Sequence, residues 1–202
     1  MKRIIQYFGI LFALLSMTSC AHRQFQFPEV AIPPERIVQQ GYSFVPLNEP
    51  EWLILGRTAR QLAFARSGKS SDETYAIQAM TFVLPPFATS AELVRIVREG
   101  QAQDMNSKRF KLEQNEATFH PTNGAECVRT HMVVEDRAAV KRVGINNGDM
   151  ILEVLTLTCA HPKDKRVGIG FIYSQRYYLG LQDPALEEKA DSIFNSIQFS
   201  DL

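Results

Sequence analysis

The chain has no excess of either charge, because its 202 residues hold 22 Lys and Arg against 22 Asp and Glu. This balance gives no field that attracts nucleic acid or an anionic surface, and we expect no nucleic-acid partner. A hydrophobic fraction of 45% with 13 Phe is enough for a packed core and argues against a disordered chain.

The N-terminus has the layout of a secretory signal. Met1, Lys2 and Arg3 give a positive start, and residues 4–15 form an uncharged apolar run before small and polar residues. This run is shorter than the ~20 residues that cross a bilayer as a helix, so a retained membrane span is the weaker interpretation. We therefore predict a signal peptide over residues 1–19.

The end of the leader, Met17-Thr18-Ser19-Cys20, resembles a bacterial lipobox, although Met17 stands where leucine is usual. The resemblance implies that Cys20 becomes the mature N-terminus and carries several acyl chains, of the palmitate type, which would hold the protein stably at a membrane. The alternative is an ordinary cleaved signal with a chance cysteine beside the cut. Ala21 stands where an aspartate would resemble the inner-membrane retention signal, so the resemblance implies the outer membrane, facing the periplasm.

The segment after Cys20 differs in composition from the rest of the chain. Residues 21–40 carry three of the ten prolines and show no clear period. We predict a lipid-anchored tether over residues 20–40 and a single globular domain over residues 41–202, a length that suits one domain better than two.

Strand patterns predominate in the domain. They predict strands at 41–46, 52–56, 60–66, 74–84, 110–119, 126–135, 150–159 and 167–177. Turn residues at 68–73 predict a hairpin between the third and fourth of these strands. Thr89 or Ser90 is expected to cap a helix that runs to about Met105.

A second helix is predicted at the C-terminus, with Asp183 as N-cap, Pro184 at the first helical position and an apolar stripe from Leu186 to Ile197. This helix should pack on the sheet. The order of elements predicts an α+β fold: a mainly antiparallel sheet with one mid-chain helix and a C-terminal amphipathic helix.

Two patches of the domain resemble PsbP-like domains: GYSFVP at 41–46 with Trp52, and ADSIFNSIQF at 190–199. The resemblance covers the element order across the domain. It implies membership of a mostly non-catalytic family whose proteins bind or stabilise assemblies, and no functional residue is transferred from it.

Cys127 and Cys159 are the cysteines that follow Cys20. In an oxidising compartment they predict a disulfide, and the alternative is two buried free thiols. If they lie opposite each other on paired strands, residues 137–149 form a long loop. A tight turn at Asn147-Gly148 would instead place Asp136 opposite Cys159.

Two histidines accompany these cysteines, as C-x₃-H with His131 and C-x-H with His161. In the register that pairs the cysteines, the histidines would lie about 20 Å apart at ~3.3 Å per strand residue. Zinc needs its ligands within ~2.3 Å, so we expect no metal site.

The densest polar and aromatic group is YSQRYY at 173–178. Alternation along a strand puts Tyr173, Gln175 and Tyr177 on one face and Arg176 on the other. These four residues form a candidate binding surface, because aromatic and Arg side chains are typical of binding hot spots. The alternative is a strand whose tyrosines pack at the sheet edge while Arg176 pairs with a nearby carboxylate. A separate charged segment, Glu135-Asp136-Arg137, is predicted to be a solvated turn.

The sequence contains no G-x-S-x-G elbow, no H-E-x-x-H helix and no Walker-type phosphate loop. Convergence of Ser174, His161 and Asp164 has no support from their spacing, and we expect no cofactor. The first hypothesis is a lipid-anchored periplasmic lipoprotein that acts as a non-catalytic binding or structural module, attached to the membrane and presented to an envelope protein. The alternative is a membrane-tethered hydrolase of unknown class.

Overall fold

The computed structural model describes residues 27–70, 72–139 and 148–202. The leader, the predicted lipid site at Cys20 and the first residue of the Asn147-Gly148 turn lie outside these described residues. Within them, no helix is long and apolar enough to cross a membrane.

Ten strands and two helices follow one another in the described residues. They are β1 (Ile37–Gln39), β2 (Tyr42–Phe44), β3 (Leu53–Arg57), β4 (Gln61–Ser67), β5 (Thr74–Val83), α1 (Ser90–Asp104), β6 (Phe110–Phe119), β7 (Glu126–Asp136), β8 (Met150–His161), β9 (Asp164–Tyr178), α2 (Leu186–Asn195) and β10 (Gln198–Phe199). The mixed composition, with antiparallel sheets, confirms the predicted α+β class.

The body of the fold is a seven-stranded sheet in the order β3-β4-β5-β9-β8-β7-β6. Its neighbouring strands pair antiparallel, including the predicted β4–β5 hairpin. The central strands β8 and β9 are apolar on both faces, which requires cover on both sides of the sheet. The two helices supply that cover from opposite sides, and we call the two sides the α1 face and the α2 face.

The larger core lies on the α2 face. Ile193 and Phe194 of α2 pack there with Leu155 and Phe171 of the central strands. The smaller core lies on the α1 face, where Leu93 and Val97 of the helix meet Val128 and Ala160 of the sheet.

Helix α1 begins as predicted. Thr89 is its N-cap, and with Glu92 it forms a capping box in which each side chain binds the other's backbone N–H. The two hydrogen bonds that Glu92 accepts from the backbone N–H groups of Ala88 and Thr89 lower its pKa.

Helix α2 begins later than predicted, because Asp183 is not its N-cap. The helix starts at Leu186 after Ala185, which has no side-chain cap. Asp183 instead closes the preceding turn: its Oδ1 accepts from the Ala185 N–H at 3.0 Å, and its Oδ2 accepts from Lys189 at 2.7 Å. The Asp183 side chain therefore forms bonds at the start of α2 without capping it.

A small second sheet joins the two ends of the described chain in the order β1-β2-β10. Before it, the Val30 N–H donates to Trp52 O at 2.8 Å, and the Ile54 N–H donates to Pro28 O at 2.7 Å. Residues 28–39, which the sequence analysis assigns to the tether, are therefore paired with the domain at both places. The imidazole Nε2 of His161 lies 3.1 Å from Gly41 O and 3.0 Å from Ser200 O, between the two ends.

Cys127 and Cys159 lie directly opposite each other on β7 and β8 and form the predicted disulfide, with their Cα atoms 4.0 Å apart. Further along the same ladder Glu135 pairs with Ile151. This register matches the long connection over residues 137–149, and the register of the Asn147-Gly148 tight turn is therefore wrong.

Candidate functional site

A groove lies between α1 and the α1 face of the sheet, with a volume of about 810 Å³. Its floor is formed by Met80, Val154, Thr156, Thr158, Gly170 and Ile172. Apolar residues predominate in its lining, and the volume is in the range of small-molecule sites, roughly 300–1,000 Å³. We call it the α1 groove.

The α1 groove exists because α1 covers only part of the sheet face. Pro85 and Pro86 end β5, and the helix that follows packs against β6 and β7. The helix reaches β8 only at Ala160 and Thr156 and covers less of the same face of β5 and β9. Met80 and Ile172 are only half-buried there, although both are apolar and lie on long central strands.

Small side chains deepen the floor. Gly170 lies between Met80 of β5 and Thr158 of β8 in the strand register. A Cβ at Gly170 would stand 3.6 Å from the Phe82 ring, in ordinary contact, so the position leaves space that a larger side chain would fill. At Gly168 a Cβ would stand 2.5 Å from the same ring, so Phe82 occupies the place of the missing side chain.

One polar cluster interrupts the apolar lining. The Gln101 amide Nε2 donates to Thr130 Oγ1 at 2.7 Å and lies 3.4 Å from Thr156 Oγ1. The two threonine hydroxyls bond each other at 2.6 Å. Gln101 Oε1 is buried and finds no hydrogen-bond partner among the described residues.

The charges at the rim are paired or acidic. Arg95 forms an ion pair with Glu99, one helical turn along α1, at 2.8 Å. Asp104 and Glu99 contribute carboxylates to the same rim. The rim therefore offers no unpaired cation from the described lining residues.

The four residues of the predicted binding surface are not brought together at the surface. Tyr173, Gln175 and Tyr177 are buried on the α2 face, with Tyr173 wholly inaccessible. Burial raises the pKa values of Tyr173 and Tyr177 above the ordinary value for tyrosine. Arg176 lies on the opposite face, as the alternation predicted. β9 is a central strand between β5 and β8, so its tyrosines lie in the core and not at an edge.

Arg176 instead belongs to an ion cluster around Asp136. Asp136 accepts bonds from Arg109 at 3.0 and 2.8 Å, and Arg176 lies 3.1 Å from its Oδ2. The hydrogen bond from Arg109 holds the pKa of Asp136 below its usual value. The prediction of a solvated turn is wrong at Asp136, which is 3% exposed, because the two arginines reach it from β9 and from the residue before β6.

A second buried carboxylate, Glu153, lies on the α2 face and was missed by the sequence analysis. Its Oε1 lies 2.7 Å from His131 Nε2, and its Oε2 accepts from Tyr177 at 2.8 Å and from Gln182 at 2.7 Å. An isolated glutamate within the apolar pattern of β8 is the one sequence signal that could have indicated such a site.

The residues considered for catalysis and metal binding do not come together as one group. Ser174 lies ten residues along β9 from Asp164, a distance of roughly 33 Å for an extended strand. His161 pairs with Asp164 at the far end of the sheet and holds the backbone there. In residues 27–70, 72–139 and 148–202, no group of His, Cys, Asp and Glu could hold a metal ion.

Sequence comparison gives no family for this chain. No family model matches it, and no curated protein matches it significantly. Among solved structures it is similar to LpqN of Mycobacterium tuberculosis, described as involved in cell envelope biogenesis, with 10% identity and a TM-score of 0.48 over 82% of this chain and 90% of that chain.

Proposed function

We propose that the protein is a lipid-anchored cell-envelope lipoprotein that acts as a non-catalytic binding module, and that the α1 groove is its binding site. The observation that carries the proposal is the groove itself, which leaves apolar strand residues of the sheet only half-buried beside α1. Uncovered apolar surface of this kind marks ligand or partner sites in folded proteins.

Two observations support the location. The leader ends in a lipobox-like segment at Cys20, and a disulfide joins Cys127 to Cys159. Disulfides persist in oxidising compartments such as the bacterial periplasm. The alanine after Cys20 supports the outer membrane, facing the periplasm, as the destination.

The ligand we propose is a small apolar molecule. The groove has a volume of about 810 Å³, and its floor is built from aliphatic, methionine and glycine residues with two threonines. Methionine side chains adapt to apolar ligands of varied shape. A protein held at a bilayer by acyl chains would meet such ligands at the membrane to which it is anchored.

The second part of the proposal is that the protein binds a protein partner in the cell envelope. The predicted surface at residues 173–177 does not support it, because three of its four residues are buried. The resemblance to PsbP-like domains agrees with a binding role. The alternative function, a hydrolase, gains no support from Ser174, His161 and Asp164, because these three side chains do not come together in one site.

Binding in the groove is tested by photo-crosslinking in membranes that contain the full-length protein. An alkyl probe with a diazirine is added, irradiated, and its adducts are mapped by peptide mass spectrometry. We expect adducts on the strand segments around Met132, Val154 and Ile172.

Two glycine variants make the crosslinking test specific. Gly170→Leu should fill the groove and remove those adducts, whereas Gly56→Leu, on β3 with no atom within 4 Å of its added Cβ, should keep them. Adducts that avoid the groove in the wild type, or that are unchanged in Gly170→Leu, would refute the binding site.

The anchor is tested separately by the intact mass of the protein extracted from cell membranes. We expect a chain that begins at Cys20 and carries acyl groups. We expect the variant Cys20→Ser to be absent from the membrane fraction. Detection of a chain without lipid would rule out the proposed anchor. It would not affect the proposal that the groove binds a ligand.

A further inference from the structure

We infer that one exposed edge of the domain rests on the bilayer, and that the lipid surface is the partner of this edge. We call the edge the N-terminal patch, and its residues are Phe27, Val38, Leu55, Arg57 and Arg60. The inference rests on the proposed lipid anchor at Cys20, and it names the surface that the anchored protein turns toward the membrane.

The first argument is that hydrogen bonds bring the patch together at the outer edge of β3. The residue after Phe27 accepts a bond from the Ile54 N–H at 2.7 Å, so Phe27 lies beside Leu55 in this antiparallel pairing. The Arg57 guanidinium donates to Val38 O at 3.0 Å, which holds β1 against the same end of β3. Two separate parts of the N-terminal segment therefore meet β3 within three residues.

The second argument is the chemistry of the exposed side chains. Phe27, Val38 and Leu55 are 40%, 61% and 44% exposed, although all three are apolar. The turn that follows β3 carries Arg57 and Arg60, both exposed, with no carboxylate between them. This combination suits the boundary of a bilayer, because apolar side chains leave water there while guanidinium groups bond the phosphates of the head groups.

The third argument is the short distance to the anchor. Phe27 is the first described residue, and six residues separate it from Cys20. Seven steps of at most ~3.6 Å keep the patch within about 25 Å of the acylated residue. A short tether gives a weak contact a high effective concentration, so a few apolar side chains are enough to keep the patch at the bilayer.

This orientation also turns the open side of the α1 groove toward the membrane. β3 forms one edge of the seven-stranded sheet, and β6, on which α1 packs, forms the other. Between β3 and the groove, β4 carries Ala63 and Ala65 on the same face as Met80 of the groove floor. An apolar ligand that leaves the bilayer would therefore cross small side chains before it reaches the floor.

The test measures the depth of a fluorescent label by nitroxide quenching. Full-length protein extracted from membranes is reconstituted into vesicles of phosphatidylcholine and phosphatidylglycerol, with or without lipids that carry a nitroxide near the head group. The label is attached at Gly56→Cys, where an added Cβ meets no atom within 4 Å, or at Leu112→Cys, an exposed position on β6. The disulfide and the acylation of Cys20 leave the introduced thiol as the reactive one.

Six strand spacings of ~4.8 Å place β6 about 29 Å beyond β3, so we expect at least about a twofold loss of fluorescence at Gly56 and almost none at Leu112. The double variant Val38→Glu with Leu55→Glu should weaken the quenching at Gly56, since carboxylates are costly at membrane depth. The matched control, Leu112→Glu with Phe119→Glu at two exposed positions on β6, should keep it. Thermal unfolding confirms that each variant is folded before its quenching is compared.

The outcomes separate this inference from the proposed anchor. Equal quenching at the two label positions, in protein that floats with the vesicles, would overturn the inference and leave the anchor intact. Quenching at Gly56 that survives Val38→Glu with Leu55→Glu would do the same. Protein that carries no lipid and separates from the vesicles would overturn both. None of these results changes the crosslinking test of the α1 groove.

Discussion

Glu153 Oε1 lies 2.7 Å from His131 Nε2, and this contact ties β8 to β7 on the face that α2 covers. The other carboxylate oxygen accepts from Tyr177 and Gln182. One buried carboxylate therefore accepts hydrogen bonds from three side chains on three segments of the chain, which makes it the polar centre of that face.

The substitution Glu153→Gln should lower the free energy of unfolding by about 1–3 kcal/mol, because the amide turns an N–H group toward donors that need an acceptor. The measurement is urea unfolding at neutral pH. The matched control is Glu187→Gln, whose side chain is 64% exposed and lies 3.7 Å from the other ring nitrogen of His131. Its cost should stay within about 0.5 kcal/mol, and equal losses in the two variants would contradict the central role of Glu153.

The disulfide should account for a separate share of stability. Replacing both cysteines, Cys127→Ala with Cys159→Ala, should lower the free energy of unfolding by about 2–4 kcal/mol in the loop-closure account, since the bridge closes a separation of 32 residues. A reductant should lower the urea midpoint of the wild type and leave that of the double variant unchanged. A wild-type midpoint that does not respond to full reduction would contradict this prediction.

Asp136 should make stability sensitive to acid. Its pKa in the folded protein is lowered by the hydrogen bond from Arg109, so the unfolded chain binds a proton there more readily than the folded chain. The contribution is therefore fully present above the unfolded pKa of about 3.9 and is lost as the pH falls toward the lower, folded value.

The variant Asp136→Asn lacks this titration. We expect it to be less stable than the wild type at neutral pH and to lose less stability between about pH 4 and pH 2, as measured by urea midpoints across the range. Asp104→Asn, at an exposed position on α1, is the control and should run parallel to the wild type. If the urea midpoints of Asp136→Asn and the wild type fell in parallel with pH, Asp136 would not be the source of the acid sensitivity.

Helices and strands with a strong hydrophobic periodicity were predictable from the sequence. The way in which these elements pack against one another was not. The capping box at Thr89, the alternation along residues 173–178 and the pairing of Cys127 with Cys159 each depend on local pattern or on one register. Burial of Tyr173 depends on β9 being flanked by β5 and β8, which no local pattern specifies. Asp136 is buried because arginines from distant segments meet it.

The α1 groove was missed for the same reason. The apolar pattern on both faces of β8 and β9 predicts cover on both sides, but it does not say how many strands one helix of 15 residues will cover. The number of strands covered depends on the position that α1 takes over the sheet after Pro85 and Pro86. The polar group Gln101–Thr130–Thr156 joins a helix to two strands, so it too exists only in the folded structure.

The glycines of β9 offer a last test of this face of the sheet. Gly168 lies directly opposite Phe82, and an added Cβ would meet the ring at 2.5 Å, so Gly168→Ala should destabilise the protein by about 1–3 kcal/mol. Gly170→Ala, whose Cβ would stand 3.6 Å from the ring, is the matched control and should be nearly neutral.

The cost at Gly168 should disappear in a Phe82→Ala background, because the two residues interact directly and their effects are then not additive. Urea unfolding of the four members of this cycle gives the coupling between the two positions. A coupling near zero would mean that the ring of Phe82 does not occupy the place above Gly168, and the shape of the groove beside it would have to be revised.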